Sequence, residues 1–237
     1  MKKLLILKAG STLESLRCRV GDFEDWITAG MKVNPEHTVC SSVYLGESLP
    51  ALDSVAGIVV TGSPAMITDG APWNNIAMAY LREAVEKKLP VLGICYGHQL
   101  LAAALGGKVD YNPIGRAIGS ISVSRITGES NDPLLNDISN CFIAHTSHSQ
   151  SVTELPPGAV PLAFSYNDGH YCFRYGESAW GVQFHPEFDT DIMRQYVIER
   201  KEEIEAEGQE VDTILANISD TPEAAKILSR FAQLAGY

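Results

Sequence analysis

Short apolar segments alternate with longer amphipathic segments over the first half of the 237-residue chain. The apolar segments predict strands at Lys3–Lys8, Thr38–Tyr44, Gly57–Thr61 and Val91–Ile94. The amphipathic segments predict helices near Asp22–Ala29, from about Pro72 to Lys88, and from Gln99 to Leu105. This alternation is typical of an α/β fold, in which helices cover both faces of an open, mostly parallel sheet.

From Ala117 onward the pattern becomes richer in strands. The predicted strands are Ile118–Val123, Cys141–Ala144, Val160–Tyr166, Tyr171–Tyr175 and Ala179–Phe184, and the loops between them contain Gly, Pro, Asn and Asp. Closely spaced strands without helices between them favour antiparallel pairing. We therefore expect the second half of the chain to extend the sheet in an antiparallel manner.

The last 50 residues, 188–237, have a helical pattern and an acidic character. Apolar residues recur at near-helical spacing at Ile198, Ile204, Val211, Ile214, Leu215 and Ile218. Asp220-Thr-Pro-Glu223 is a helix-start signal. The segment has eleven acidic and five basic residues, a net charge of −6. We predict one domain over residues 1–190 and a helical extension over 191–237 packed on it, with the charges facing solvent. The alternative is a docking surface or a lid over the candidate site.

Composition narrows the classes of function. The net charge of −11 argues against binding to nucleic acid or to an anionic membrane, because both need basic surfaces. The first apolar segment has no cleavage site behind it, and no apolar run approaches transmembrane length, so we expect a cytoplasmic protein. The five cysteines form no CxxC pair, so neither a disulfide framework nor a metal site is expected. No cofactor is predicted, and a homo-oligomer is left open.

Residues 89–107 place a cysteine between a predicted strand and a predicted helix. Gly93 and Gly97 stand two residues before and after Cys95, which is the spacing of a nucleophile elbow. The bend in such an elbow is so tight that larger side chains at these two positions would collide. We expect the thiol to project into solvent at a helix N-terminus, where the helix dipole favours the thiolate. The alternative is a buried cysteine with unrelated glycines nearby.

A second segment offers a base for that thiol. His185-Pro-Glu187 follows a predicted strand, and Pro186 favours an extended conformation at His185. Side chains two positions apart in extended chain point the same way, so Glu187 can reach the imidazole. A cysteine, a histidine and an acid together form a nucleophile, a base and an orienting group.

These two motifs resemble the class I (triad) glutamine amidotransferase domain, most closely that of GMP synthetase. The resemblance rests on Gly93-Ile-Cys-Tyr-Gly-His-Gln99 with Leu-Gly-Gly107, and on Gly181-Val-Gln-Phe-His-Pro-Glu187. It covers about residues 40–190 and implies a flavodoxin-like fold. It also implies that Cys95 attacks the glutamine carboxamide, that His185 serves as base and then as acid to the departing ammonia, and that Glu187 orients His185.

The resemblance further implies an oxyanion hole. Its donors would be the N–H groups of Tyr96 and of Ser63, which lies in the loop Thr61-Gly62-Ser63-Pro64. Ser63 stands where the family has a second glycine, so it would be strained if the position required a positive φ. An ordinary turn after a strand is the alternative for this loop.

The substrate-binding residues implied by the resemblance are Gly62, Gln99, Ser149, Gln150 and Ser151. Ser147-His148-Ser149-Gln150 corresponds to a Ser-His-Gly-Asp segment that holds the α-amino and carboxylate groups of glutamine in the family. Two of its four positions differ here. The identity of the substrate is therefore the least determined part of the resemblance.

The leading functional hypothesis is hydrolysis of the glutamine side-chain amide through a Cys95 thioester, with ammonia passed to a separate acceptor synthetase. A second hypothesis is a stand-alone γ-glutamyl hydrolase or peptidase that uses the same triad. A third is a non-catalytic regulatory binding protein on the same fold. The presence of Cys95, His185 and Glu187 argues against the third.

Overall fold

The computed structural model describes residues 2–126, 128 and 131–237. Its strands are β1 (Lys3–Lys8), β2 (Thr38–Ser42), β3 (Val55–Val60), β4 (Val91–Ile94), β5 (Lys108–Tyr111), β6 (Ala117–Arg125), β7 (Cys141–His148), β8 (Gln150–Glu154), β9 (Ala159–Ser165), β10 (Asp168–Tyr175) and β11 (Ala179–Val182). Its α-helices are α1 (Glu14–Val20), α2 (Phe23–Met31), α3 (Pro72–Glu86), α4 (Tyr96–Ala104), α5 (Thr190–Glu199), α6 (Lys201–Ala206), α7 (Val211–Ala216) and α8 (Pro222–Leu234).

Nine of these strands form one sheet in the order β2-β1-β3-β4-β11-β10-β9-β6-β7. Neighbours from β2 to β11 pair in parallel, and those from β11 to β7 pair in antiparallel. Strands β5 and β8 form a separate antiparallel pair. The predicted change from a parallel to an antiparallel arrangement is therefore confirmed.

The sheet buries both of its faces. Leu4 and Ile6 of β1 belong to one hydrophobic cluster, whereas Leu5 and Leu7 belong to another. Alternating side chains of a strand point to opposite faces, so the two clusters lie on the two sides of the sheet. Helices α3 and α4 contribute to the Leu5 side, and α1, α2 and α5 to α8 contribute to the Leu4 side. This is the flavodoxin-like α/β architecture that was expected.

The hydrophobic pattern did not predict helix α1 or strands β5 and β8, and it predicted a later start for helix α4. Helix α1 buries only Leu16, so its sequence carries almost no apolar periodicity. Strand β5 has no buried residue, and it exists because its backbone pairs with that of β8. Helix α4 begins at Tyr96, directly after Cys95, rather than at Gln99. None of the helices in the described part of the chain is long and apolar enough to cross a membrane.

Candidate active site

Cys95 is the single residue between β4 and α4. Its backbone angles are φ 51° and ψ −103°, a conformation that costs a non-glycine residue on the order of 1–3 kcal/mol. A Cβ on Gly93 would lie 2.3 Å from the carbonyl oxygen of Gly97, and a Cβ on Gly97 would lie 2.4 Å from that of Val60. Any larger residue at either position would push these backbones apart, so the two glycines permit the elbow.

We expected the thiol to project into solvent, but the structure buries it. Cys95 is only 6% exposed, and its Sγ lies 3.8 Å from the carbonyl oxygen of Ser147. That expectation was wrong because strand β7 and its following loop close over the elbow. The thiol instead faces two small cavities, one of about 50 Å³ shared with Gln99 and one of about 110 Å³ shared with His185. We call these the Gln99 cavity and the His185 cavity.

Strand pairing brings His185 to the elbow. Strand β11 lies parallel to β4 with Val182 beside Ile94, so the chain after each strand emerges at the same edge of the sheet. The main-chain N–H of His185 donates to the carbonyl oxygen of His145 at 2.8 Å, and its ring stacks on Phe188 with 4.0 Å between ring centroids. The imidazole therefore has a defined orientation before any ligand binds.

Glu187 is the third residue of the candidate triad, after Cys95 and His185. Its Oε1 lies 2.7 Å from Nδ1 of His185, and the two side chains are almost fully buried. Burial by itself would lower the pKa of His185, but the carboxylate of Glu187 and the side chain of Cys95 outweigh it and raise that pKa to about 10. Because Glu187 accepts from Nδ1, Nε2 is the nitrogen left to interact with Cys95. The arrangement therefore favours an imidazolium at His185 near neutral pH.

Three other histidines of the site region are poor candidates for the base. Burial lowers the pKa of His98 to about 3 and those of His145 and His148 to about 4, so all three are neutral near pH 7. His98 packs against Phe173 within the cluster on the α3 and α4 side. His148 uses Nδ1 to donate to the carbonyl oxygen of Gln150 at 2.9 Å.

Tyr96 and Ser63, the expected oxyanion donors, lie beside Cys95. Both residues line the Gln99 cavity together with Cys95. Within the described residues, neither the Tyr96 N–H nor the Ser63 N–H donates to a protein acceptor. Ser63 is not among the described non-glycine residues that have a positive φ, so its serine side chain causes no backbone strain.

Gly62 has a spacing role in the same loop. A Cβ at this position would lie 3.0 Å from Cε1 of His185, which is tighter than an ordinary contact. The glycine lets the loop pass beside the imidazole. The geometry thus places Gly62 beside His185, whereas the resemblance implies a role in substrate binding.

The remaining candidate residues divide into two groups. Gln99, Ser149 and Gln150 line the Gln99 cavity. Ser151 does not, and it lines a separate depression beside Asp168. Its side chain points away from that of Gln150 because successive residues of a strand face opposite sides.

The side-chain amides of Gln99 and Gln150 are largely used within the protein. Nε2 of Gln99 donates to the carbonyl oxygen of Gln150 at 2.7 Å. Gln150 accepts from the Ile67 N–H at 3.0 Å and donates to Thr68 Oγ1 at 2.6 Å. Gln150 therefore ties β8 to the turn after the oxyanion loop.

Sequence reasoning missed two arginines at the site. Arg200, between α5 and α6, lines both cavities, and Arg116 lines the Gln99 cavity. Arg116 forms ion pairs with Glu203 at 2.9 Å and Glu207 at 3.0 Å. No motif surrounds either arginine, so only the packing of the C-terminal helices could identify them. No aspartate or glutamate of the described chain lines either cavity.

Comparisons with known proteins identify the family of this chain. The family model described as class-I glutamine amidotransferase matches residues 27–203. The chain is 34% identical over 192 residues to a protein of Porphyromonas gingivalis named as a glutamine-hydrolyzing GMP synthase, covering 79% of this chain and 33% of that protein. It therefore spans about a third of that relative's length.

A shorter relative and a solved structure complete the comparison. The chain is 37% identical over 155 residues to a Methanococcus vannielii protein that is named as one subunit of a glutamine-hydrolyzing GMP synthase, covering 65% of this chain and 75% of that protein. A glutamine amidotransferase from Thermotoga maritima superposes with a TM-score of 0.76 and 20% identity over 100% of both chains, which supports the fold. The chain therefore belongs to the class-I glutamine amidotransferase family.

Proposed function

We propose that this protein hydrolyses the side-chain amide of glutamine through a thioester on Cys95, releasing glutamate and ammonia. One observation carries the proposal. A cysteine on a strained elbow shares a cavity with a buried histidine whose Nδ1 lies 2.7 Å from a buried glutamate. This is the arrangement that nucleophilic catalysis at an acyl carbon requires.

In the first step the Cys95 thiolate attacks the carboxamide carbon. The negative charge moves to the carbonyl oxygen, and the N–H groups of Tyr96 and Ser63 are the donors proposed to stabilise it. His185 then transfers its proton to the departing nitrogen, the C–N bond breaks, and ammonia leaves. Glu187 holds the ring and stabilises its positive charge until this transfer.

In the second step water attacks the thioester carbon. His185, now neutral, accepts a proton from the water as the C–O bond forms. The C–S bond then breaks and the Cys95 thiolate is restored beside an imidazolium. Each residue thus returns to its starting state, with water consumed and glutamate released.

We also propose that the ammonia is passed to a separate synthetase. The Methanococcus vannielii relative is named as one subunit of GMP synthase, which supports a division of labour between chains. The γ-glutamyl hydrolase alternative is supported by the size of the His185 cavity and is developed below.

Covalent labelling combined with activity tests the proposal. A glutamine analogue that carries a chloromethyl ketone in place of the amide should alkylate Cys95, as located by peptide mass spectrometry. Cys95→Ala should lower kcat for glutamate release by about 10³-fold or more. Cys18→Ala, which removes an exposed thiol on α1, should behave as the wild type. Labelling at another cysteine with Cys95 unmodified, or full activity in Cys95→Ala, would refute the assignment.

A further inference from the structure

The two cavities at Cys95 differ in the groups that line them. The Gln99 cavity contains Tyr96 and Gln99, and Ser63 and Pro64 of the loop after β3 line both cavities. The His185 cavity contains the imidazole together with Thr12 and Phe23, and Tyr96 does not line it. A carboxamide attacked by Cys95 must direct its oxygen to the donors and its nitrogen to the acid. The Gln99 cavity therefore lies on the acyl side, and the His185 cavity lies on the side of the departing amine.

The His185 cavity is larger than ammonia needs. Its volume is about 110 Å³. A molecule the size of water requires a cavity of only about 10–15 Å³ by the same kind of measure, and ammonia is of similar size. The space beside His185 can therefore hold an amine with several non-hydrogen atoms.

Arg200 gives this cavity a positive charge. Its guanidinium lies 5.7 Å from the centre of the Tyr196 ring. The Tyr196 hydroxyl lies 2.8 Å from Thr12 Oγ1. These contacts hold together three side chains that line the cavity. Among the described residues, Nε of Arg200 is buried and has no hydrogen-bond partner. Its ion pair with Glu203 is long, at 3.5 Å, and the same carboxylate oxygen lies closer to Arg116 at 2.9 Å. The guanidinium is therefore available to an anion.

We propose, on the basis of the proposed function, that the site also accepts γ-glutamyl amino acids and that Arg200 binds the carboxylate of the departing amino acid. The Sγ–C bond forms first; the nitrogen then takes its proton from His185, the C–N bond breaks, and a free amino acid leaves. Water then hydrolyses the thioester as it does with glutamine. Arg200 is thus a specificity residue for the leaving group.

Three substrates that share the glutamyl group and differ in the leaving group test the role of Arg200. They are glutamine, γ-glutamylglycine and γ-glutamylethylamide, and the last replaces the glycine carboxylate with a methyl group. Glutamate release by the purified full chain should give a kcat/KM for γ-glutamylglycine about tenfold or more above that for the ethylamide, because a charge-assisted hydrogen bond is lost. Arg200→Gln should bring this ratio close to one, mainly through KM, and Arg200→Lys should restore part of it. Arg194→Gln, on the exposed face of α5, should keep the wild-type ratio.

Three results would overturn the inference, of which two concern Arg200 and the substrate ratio. One is a wild-type ratio near one. The other is an equal loss on all three substrates in Arg200→Gln, which would place the arginine on the glutamyl group. Hydrolysis of glutamine without hydrolysis of γ-glutamylglycine would also overturn it while leaving the proposed function standing. Failure to hydrolyse any of the three, with no alkylation of Cys95, would instead refute the proposed function.

Discussion

At the residue scale, the site depends on the charge state of His185. Glu187 and Cys95 keep the imidazole protonated despite its burial, which raises its pKa from 6.5 to about 10. Since the folded pKa lies above the unfolded value, this interaction stabilises the folded protein fully below pH 6.5 and is lost as pH rises through about 10. In the proposed mechanism the same imidazolium protonates the departing nitrogen. Stability and the proposed catalysis therefore depend on the same proton.

Glu187→Gln tests this electrostatic coupling. The glutamine can still accept a hydrogen bond, but it no longer attracts the positive ring, so burial lowers the pKa of His185. For the wild type we expect kcat/KM to persist into alkaline solution and to fall as pH approaches about 10. For Glu187→Gln the alkaline limb should move to lower pH, as measured by a pH series of glutamate release.

The comparison with His185→Ala completes this test. Glu187→Gln should retain more activity than His185→Ala, because an orienting residue usually contributes less than the base. An unchanged alkaline limb in Glu187→Gln would mean that another group sets it. Wild-type rates in His185→Ala would mean that the His-Pro-Glu segment is structural.

At the scale of secondary-structure elements, the junction of β4 and α4 positions Cys95. The backbones of Gly93 and Gly97 approach so closely that the strand and the helix act as one rigid corner. Gln150 fixes the turn at Ile67 and Thr68 that follows the oxyanion loop. Cys95 and the proposed oxyanion donors are therefore attached to regular structure, which keeps their geometry defined.

Gly93→Ala tests the close approach of the backbones of β4 and α4. The added methyl group would lie 2.3 Å from the carbonyl oxygen of Gly97, which belongs to the backbone and cannot rotate away. Overpacking of this kind costs about 1–3 kcal/mol or more of unfolding free energy. Gly169→Ala is a matched control in β10, because its methyl group meets no atom within 4 Å. Urea unfolding should separate the two variants, and equal stability would contradict the close approach.

At the scale of the whole molecule, the C-terminal helices belong to the core and to the site. Ile227, Leu228 and Phe231 of α8 are fully buried in the cluster that also contains residues of β1 and α2. Arg200 at the end of α5 lines both cavities at Cys95. Removing or loosening these helices would therefore affect both the stability of the protein and the lining of the two cavities.

Phe231→Ala tests whether residues 191–237 unfold together with residues 1–190. A buried phenylalanine truncated to alanine costs about 3–5 kcal/mol. If the two parts form one cooperative unit, the variant should show a single transition at lower urea concentration by both far-ultraviolet circular dichroism and tryptophan fluorescence. Gln233→Ala on the exposed side of α8 should change stability by less than about 0.5 kcal/mol. Two separate transitions in Phe231→Ala would show an independently unfolding extension.

The sequence by itself determined the features that depend on neighbouring residues. The Gly93–Cys95–Gly97 spacing predicted the elbow, and the proline between His185 and Glu187 predicted that the acid would reach the imidazole. Both are local, because the backbone conformation of a few residues sets the geometry. Alternating apolar strands and amphipathic helices likewise predicted the parallel half of the sheet.

Only the tertiary structure decided what depends on distant segments. Strand β11 had to pair with β4 before His185 could approach Cys95 across ninety residues of chain. The burial of the thiol and the presence of Arg200 in both cavities follow from the packing of β7 and α5 around the elbow. Such contacts leave no local periodicity or spacing in the sequence, because they arise from the match of surfaces that meet only in the folded chain.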